Sequence, residues 1–414
     1  MKRNVLIIGA GGVAHVAAHK CAQHNDVLGD IHIASRKIAK CEAIIASVRE
    51  KGNLKNPEGV LQAHTIDAMD STAVAELIRR TSAQIVINLG SAFVNMSVLE
   101  GCIAVGGVAY MDTAIHEDPL KVCEPAPWYA NHEWKRRERC AEAGVTAILG
   151  VGFDPGVVNA YARLAEDRFV DEIRSIDIID INAGKHGHWF ATNFDPEVNF
   201  REFTGTVLSW QKGRWQENRM FELSHTWDLP VVGPHKAYLT GHDELHSLAQ
   251  RYPQADLRFW MGFGDHYINV FTVLNKLGLL SEQPVTTAEG LEVVPLKVVK
   301  AVLPDPASLA PTYTGKTCIG DLVKGTKNGQ ETEVFIYNVA DHAEAYAEVG
   351  SQGISYTAGV PPVAAALLIA NGTWDTRNMV NVEELNPAPF LTLMDGMGLP
   401  TRVRDVLGDR PWNQ

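Results

Sequence analysis

Val5-Leu6-Ile7-Ile8-Gly9-Ala10-Gly11-Gly12-Val13-Ala14 is an apolar run that breaks into glycines and resumes in a helix-like pattern. Four apolar residues in a row read as a buried strand, and Val13, Val16, Ala17, Lys20 and Cys21 fall at helical spacing. A strand that ends in a Gly-rich turn and opens a helix presents free backbone N–H groups to a pyrophosphate. Gly9, Gly11, Gly12 and Val13 are therefore the expected phosphate cradle of a dinucleotide. The missing Cβ at Gly11 allows close approach, and Ala14 is small enough for the helix to pack on the sheet.

The next apolar run, Ile31–Ala34, ends in Ser35-Arg36-Lys37. An NAD site places a carboxylate there, to accept from the ribose 2′-hydroxyl. A guanidinium instead takes a 2′-phosphate through two hydrogen bonds, and an acid would repel it. Ser35, Arg36 and Lys37 thus point to NADPH/NADP+.

A chain of 414 residues is long for one core, so two domains are expected. The formal net charge of −12 argues against nucleic acid and suits a cationic small molecule. Cys21, Cys41, Cys102, Cys123, Cys140 and Cys318 show no CxxC spacing and read as reduced thiols. Lys2-Arg3 precedes only a short apolar run, and the long apolar stretch Val360–Ala370 contains Pro361 and Pro362. Neither reads as a signal or a membrane span, so a cytoplasmic enzyme is expected.

Strand and helix patterns alternate through the first third, the rhythm of an α/β, Rossmann-type doubly wound parallel sheet of six strands. Strand ends are where ligands sit. Asp67 and Ala68 are placed at the adenine side, and Gly90, Ser91, Asp112, Thr113 and Phe153 toward the nicotinamide. From about Asp171 the pattern becomes strand-rich and aromatic, with Arg258–Met261, Tyr267–Leu274 and Glu333–Val339 as strand candidates. That predicts a mixed α+β domain with a mainly antiparallel sheet. The expected division is 1–155 for the dinucleotide, 156–355 for substrate and dimerisation, and 356–414 returning to the first domain. Pro361-Pro362 reads there as the start of a helix.

The segment Asn182–Arg201 concentrates chemistry among aromatics, as expected of a cleft lining. His242 and His246 stand four apart near Glu244, but the spacing is not that of a zinc protease and no motif supplies a third ligand, so no metal is expected.

Gly9–Val13, Gly152-Phe153-Asp154-Pro155-Gly156, Asn338-Val339-Ala340-Asp341-His342 and Gly350–Gly359 resemble the saccharopine-dehydrogenase-like family. Ala191–Asn199, Gly315-Lys316-Thr317 and Leu303–Pro306 are similar to its carboxynorspermidine and carboxyspermidine dehydrogenase branch. The likeness runs from Asn4 to about Val403. It implies reductive condensation of L-aspartate 4-semialdehyde with 1,3-diaminopropane or putrescine by NADPH, in a homodimer.

That reaction needs a carboxylate for the distal ammonium, a cation for the amino-acid carboxylate and a group that moves protons. Asp195 and Glu197 are assigned to the ammonium, Lys185 and Arg201 to the carboxylate, and Asn193 and Asn199 to orientation. His188 and Asp154 are the proton-transfer candidates, with Lys185 beside them as a further catalytic candidate. Asp154 reads equally well as the cap of a helix beginning near Gly156. Two alternatives remain, a saccharopine-type reductase using glutamate and a non-catalytic NADPH-binding sensor.

The cofactor assignment has a direct test. Arg36→Asp should weaken NADPH binding by about tenfold to a hundredfold, the worth of a charge-assisted hydrogen bond. NADH titrated in parallel should lose far less, and equal losses would remove Arg36 from the phosphate.

Overall fold

The computed structural model describes residues 2–118, 125–203 and 206–414. Its first sheet is built as the hydrophobic pattern demands. Strands β1 (Asn4–Ile8), β2 (Ile31–Ser35), β3 (Leu61–Thr65), β4 (Ala83–Asn88), β5 (Ala109–Met111) and β6 (Thr146–Leu149) are all parallel. Helices α1 (Gly12–Gln23), α2 (Ile38–Glu50), α3 (Ser71–Thr81) and α4 (Asn95–Val105) intervene. Spatial order is β6-β5-β4-β1-β2-β3, which puts the reversal of direction between β1 and β4. Ligands bind in the crevice that opens there.

A seventh parallel strand, Met379–Asn381, joins β6 at the sheet's edge. The C-terminal stretch serves both sheets, because Thr401–Asp405 and Gly408–Pro411 pair into the second one.

Among the described residues the second sheet has ten strands and is antiparallel apart from one pair. Its long members are β7 (Glu172–Asn182), β8 (Thr206–Gln211), β9 (Arg214–Arg219), β10 (Ser224–Leu229), β11 (Gly233–Thr240), β12 (Asp256–Gly262) and the hairpin Lys316–Lys327/Gln330–Asp341. Only β12 and β7 run parallel.

One apolar core joins the two sheets. Val5 and Ile7 face α1 and α2, and the same core continues through helices Val157–Arg168 and Gly353–Ala370 to Ile176, Ile178, Leu257 and Phe259 on the inner face of the second sheet. Leu6 and Ile8 point the other way, into the core under α3 and α4. Gly353–Ala370 is long and apolar enough to cross a bilayer, yet it is this buried central helix. Cys21, Cys41, Cys102, Cys140 and Cys318 are buried free thiols, and Cys123 lies outside the described residues.

Three local expectations fail for physical reasons. Tyr267–Leu274 is helical, within Asp265–Lys276, because Tyr267 and Phe271 meet Phe263 and Phe203 one helical turn apart. Pro361-Pro362 does not begin its helix. The helix starts eight residues earlier at Gly353, capped by the Gln352 side chain on Ile354 N–H, and its burial outweighs the N–H groups the prolines lack. Asp154 does not cap Val157–Arg168 either, since Gly156 N–H donates to Asn159 Oδ1 in that place.

Gly353–Ala370 approaches α1 closely enough to exclude side chains. A Cβ on Gly359 would lie 2.7 Å from Val16 Cβ and 2.8 Å from the Val13 carbonyl oxygen. Gly359→Ala should therefore cost about 1–3 kcal/mol through overpacking. Calorimetry reads this as a fall in Tm, and an unchanged Tm would mean that the two helices separate freely.

Candidate active site

The phosphate cradle stands as its residues require. α1 begins at Gly12 with Gly11 as its cap, and no side chain takes the first-turn N–H groups. A Cβ at Gly11 would meet nothing within 4 Å, so the space beside it is open. Gly9 has φ +117°, and a Cβ would strike the Leu89 carbonyl at 2.3 Å. Gly12 lies against Ser355 Oγ, 2.5 Å from where its Cβ would be. Val13 follows in the first turn.

At the end of β2, Ser35 Oγ accepts from Lys37 N–H and leaves the Arg36 and Lys37 side chains exposed. Asp67 is exposed and turns its own loop through Met69 N–H, while the Ala68 carbonyl accepts from Ser97 Oγ at 2.5 Å. Gly90 and Ser91 are exposed at the end of β4, and Thr113 packs beside Gly152. These donors and gaps fit NADP(H), whose phosphates the α1 N-terminus and the exposed Arg36 would hold.

Two residues expected at the nicotinamide, Asp112 and Phe153, are buried instead of exposed. Asp112 is buried, accepting from Gly150 N–H and Tyr110 Oη–H at 2.7 Å each, and burial raises its carboxyl to about 7. The Phe153 ring is buried against Tyr161.

The Asn182–Arg201 segment does not form one pocket. Lys185 extends β7 by pairing its backbone with Thr314, and its side chain is exposed. His188 is exposed on the same loop, beside His186. Asp195 and Glu197 are bridged by Lys300 at 2.9 and 3.2 Å, and Asp195 also caps Pro196–Glu202. Asn199 turns inward to accept from Tyr267 Oη–H at 2.5 Å. Arg201 reaches back to the first sheet: it donates to Glu282 and Glu117, the latter at 3.2 Å, and lies over Phe93 at 4.9 Å.

Asn193 enters a relay that sequence reasoning missed. Gly353 N–H donates to His342 Nδ1 at 2.9 Å, so His342 carries its proton on Nε2 and donates to Asn182 Oδ1 at 3.0 Å. Asn182 Nδ2 donates to Tyr313 Oη, whose hydroxyl donates to Asn193 Oδ1, each at 2.7 Å. Tyr313 stacks flat on His342 at 3.8 Å, and burial lowers that imidazole to about 4. The family-like motifs around Gly315, His342 and Gly350 thus join the substrate loop to the helix that covers the cradle.

Acids gather between the sheets, beyond the nicotinamide-side strand ends. Asp154 hydrogen-bonds Asp180 of β7, a carboxyl raised to about 6 by burial and by Glu244, against the pull of His242. His242 Nδ1 donates to Glu244 Oε2 at 2.5 Å and stacks on Phe259 at 4.0 Å. Asp243 accepts from Ile115 N–H at 2.6 Å, and burial raises its carboxyl to about 7. His246 is held between Trp128 and Trp215, where burial lowers it to about 3. Among the described residues no three His, Cys, Asp or Glu side chains converge as metal ligands.

Comparison with known proteins accords with this geometry. The saccharopine dehydrogenase NADP binding domain matches residues 5–148, and the saccharopine dehydrogenase C-terminal domain matches residues 152–399. The chain belongs to the saccharopine dehydrogenase family. It is an NADP-dependent oxidoreductase.

A carboxynorspermidine synthase from Vibrio alginolyticus is 47% identical over 407 residues, covering 98% of both chains. A carboxyaminopropylagmatine dehydrogenase from Synechocystis is 41% identical over 96% of both. Saccharopine dehydrogenase (L-Glu forming) from Saccharomyces cerevisiae shares the fold, with a TM-score of 0.70 over 98% of this chain and all of that one, at 13% identity.

The buried carboxyls set a pH test. Asp112 holds its proton in the folded chain up to about pH 7, whereas the unfolded chain releases it near 3.9. Stability from this group therefore falls as pH rises from about 4 to 7 and stays low above. The buried histidines His246 and His342 have the opposite slope and cancel between variants. Relative to the wild type, Asp112→Asn should gain on the order of 1–3 kcal/mol across that window. Paired Tm measurements from pH 5 to 8 check it, and parallel curves would refute the raised carboxyl.

Proposed function

We propose that the chain catalyses the NADPH-dependent condensation of L-aspartate 4-semialdehyde with a diamine, 1,3-diaminopropane or putrescine, to carboxynorspermidine or carboxyspermidine. One observation carries the reading: acids cluster between the sheets. Asp154, Asp180, Asp243 and Glu244 gather there, and Arg201, which reaches Glu117 and Phe93 of the first domain, is already shared by Glu117, Glu197 and Glu282. A second amino acid such as glutamate needs spare cations at this place, whereas a diamine needs carboxylates. The Vibrio relatives' name, carboxynorspermidine synthase, supports the same substrates.

The chain's residues supply proton transfer and position. A free amine has a pKa of about 10.4, so its ammonium must lose a proton before nitrogen attacks the aldehyde carbon. The carbinolamine then leaves as iminium and water, taking up one proton. Asp154 with Asp180 is a carboxyl pair held by a hydrogen bond, suited to accept the first proton and return the second. The Tyr313–Asn193 contact holds the loop carrying the polar end of the site. Bound NADPH supplies the hydride that reduces the iminium.

The first assay is NADPH consumption with the semialdehyde plus 1,3-diaminopropane, putrescine, agmatine or glutamate, against amine-free controls. Diamine-dependent consumption is expected, and consumption with glutamate alone would move the reading to a saccharopine-type reaction. Asp154→Asn should lower kcat about a hundredfold. His188→Ala should leave it within about twofold, since His188 faces solvent. The reverse pattern would transfer the proton to His188.

A further inference from the structure

The inner face of the second sheet carries a polar defect that packing does not explain. Register aligns Thr240, Phe259, Ile178, Asp321 and Ile336 in one row across five strands. The row faces the core shared with the first sheet, and Phe259, Ile178 and Ile336 are fully buried in it. Asp321 is fully buried too, and neither of its carboxyl oxygens has a hydrogen-bond partner. Buried polar groups are almost always satisfied, so an orphaned carboxyl in an apolar row calls for a ligand.

Its neighbours point the same way. Asp180 lies two residues beyond Ile178 on the same face, diagonal to Asp321, at a side-chain separation of about 7–8 Å. Oδ1 of Asp180 is sealed and unpartnered. Glu244 is fully buried, with Oε2 taken by His242 and Oε1 unpartnered. Glu244 and Asp154 are close enough to act on Asp321, and burial together with these like charges pushes its carboxyl well above the usual range. Among the described residues no Lys or Arg pairs with Asp180, Glu244 or Asp321, and His242 is the basic side chain hydrogen-bonded to Glu244. Asp154 and Asp180 are half-buried, whereas Asp321 and Glu244 lie beneath them, fully buried.

We propose that Asp321, Glu244 and Asp180 form the subsite that seats the ammonium end of the amine substrate, with Asp321 as its floor. A primary ammonium has three N–H donors and no acceptor. Three side chains here hold unpartnered acceptors. The stacked rings of His242 and Phe259 form the flank along which methylenes lie. This subsite deepens the diamine reading above and rests on it. It moves the ammonium from Asp195 and Glu197, which Lys300 already bridges, to carboxyls that no Lys or Arg among the described residues pairs with.

The test uses the full-length enzyme saturated with NADPH. In Asp321→Asn the KM for 1,3-diaminopropane should rise at least about tenfold, while the KM for the semialdehyde stays within about twofold. Glu244→Gln should do the same, and it serves if Asp321→Asn fails to fold. An unchanged diamine KM in every variant that folds, or an equal rise in both KM values, would overturn the subsite.

A second readout separates the subsite from the reaction. 1,3-Diaminopropane alone should raise the Tm of the NADP+-bound wild type but not of Asp321→Asn. If no amine supports NADPH oxidation and this difference is seen, the reaction assignment falls and the subsite stands. If the amine raises neither Tm or both equally, the subsite falls whatever the assays show.

Discussion

The close approach of helix Gly353–Ala370 to α1 is the constraint from which the rest of the architecture follows. Glycine at positions 12 and 359 removes the side chains that would hold the two helices apart. With that gap closed, α1 is covered on its outer side and its first turn is left for the cofactor. Lys20, an ordinary surface residue by type, is sealed by the same contact and ends against Glu348 and the Met397 carbonyl. The N-terminus of the covering helix then receives His342, and through Asn182 and Tyr313 the whole substrate loop. The glycine turn before α1 and the Asn182–Asn193 loop are thereby parts of one packed body.

The second organising quantity is charge. Burying a carboxyl without a cation is unfavourable, and proteins neutralise the group or give it a partner. Here Asp112, Asp243 and Glu383 are each raised to about 7 by burial. Some of that acidity is structural: Asp112 ties Tyr110 to the Gly150 turn, and Glu383 accepts from Asn159 at 3.0 Å. Asp321 has no such work in the fold, which sets it apart from its neighbours. The acidic balance of the composition thus has a local expression at the inter-sheet surface, where a dication would be most at home.

Much of the fold was legible in the chain. Val5–Ile8 and the glycines after it could mean little but a strand, a tight turn and a helix, because continuous apolar runs fit parallel strands covered on both faces. The strand-rich character of the middle segment was legible from the same patterning. Tyr267–Leu274 was not, because its aromatics suit a strand as readily as a helix until Phe203 and Phe263 are in place. The candidate site was legible by residue type rather than by partner. Asp195 and Glu197 were recognisable as acids, but Lys300 stands about a hundred residues away in sequence and only folding brings it to them.

The sequence by itself determined the dinucleotide turn, the basic end of β2 and the alternation that makes a parallel sheet. Each is encoded within a few consecutive residues, where backbone freedom, apolar periodicity and charge act locally. Only the tertiary structure decided which acids are already paired and which are buried with unpartnered oxygens. Strand register placed Asp321 inside an apolar row, and the helix after Thr240 brought Glu244 over it. Electrostatic energy depends on distance and burial, and neither is written in the order of residues along the chain.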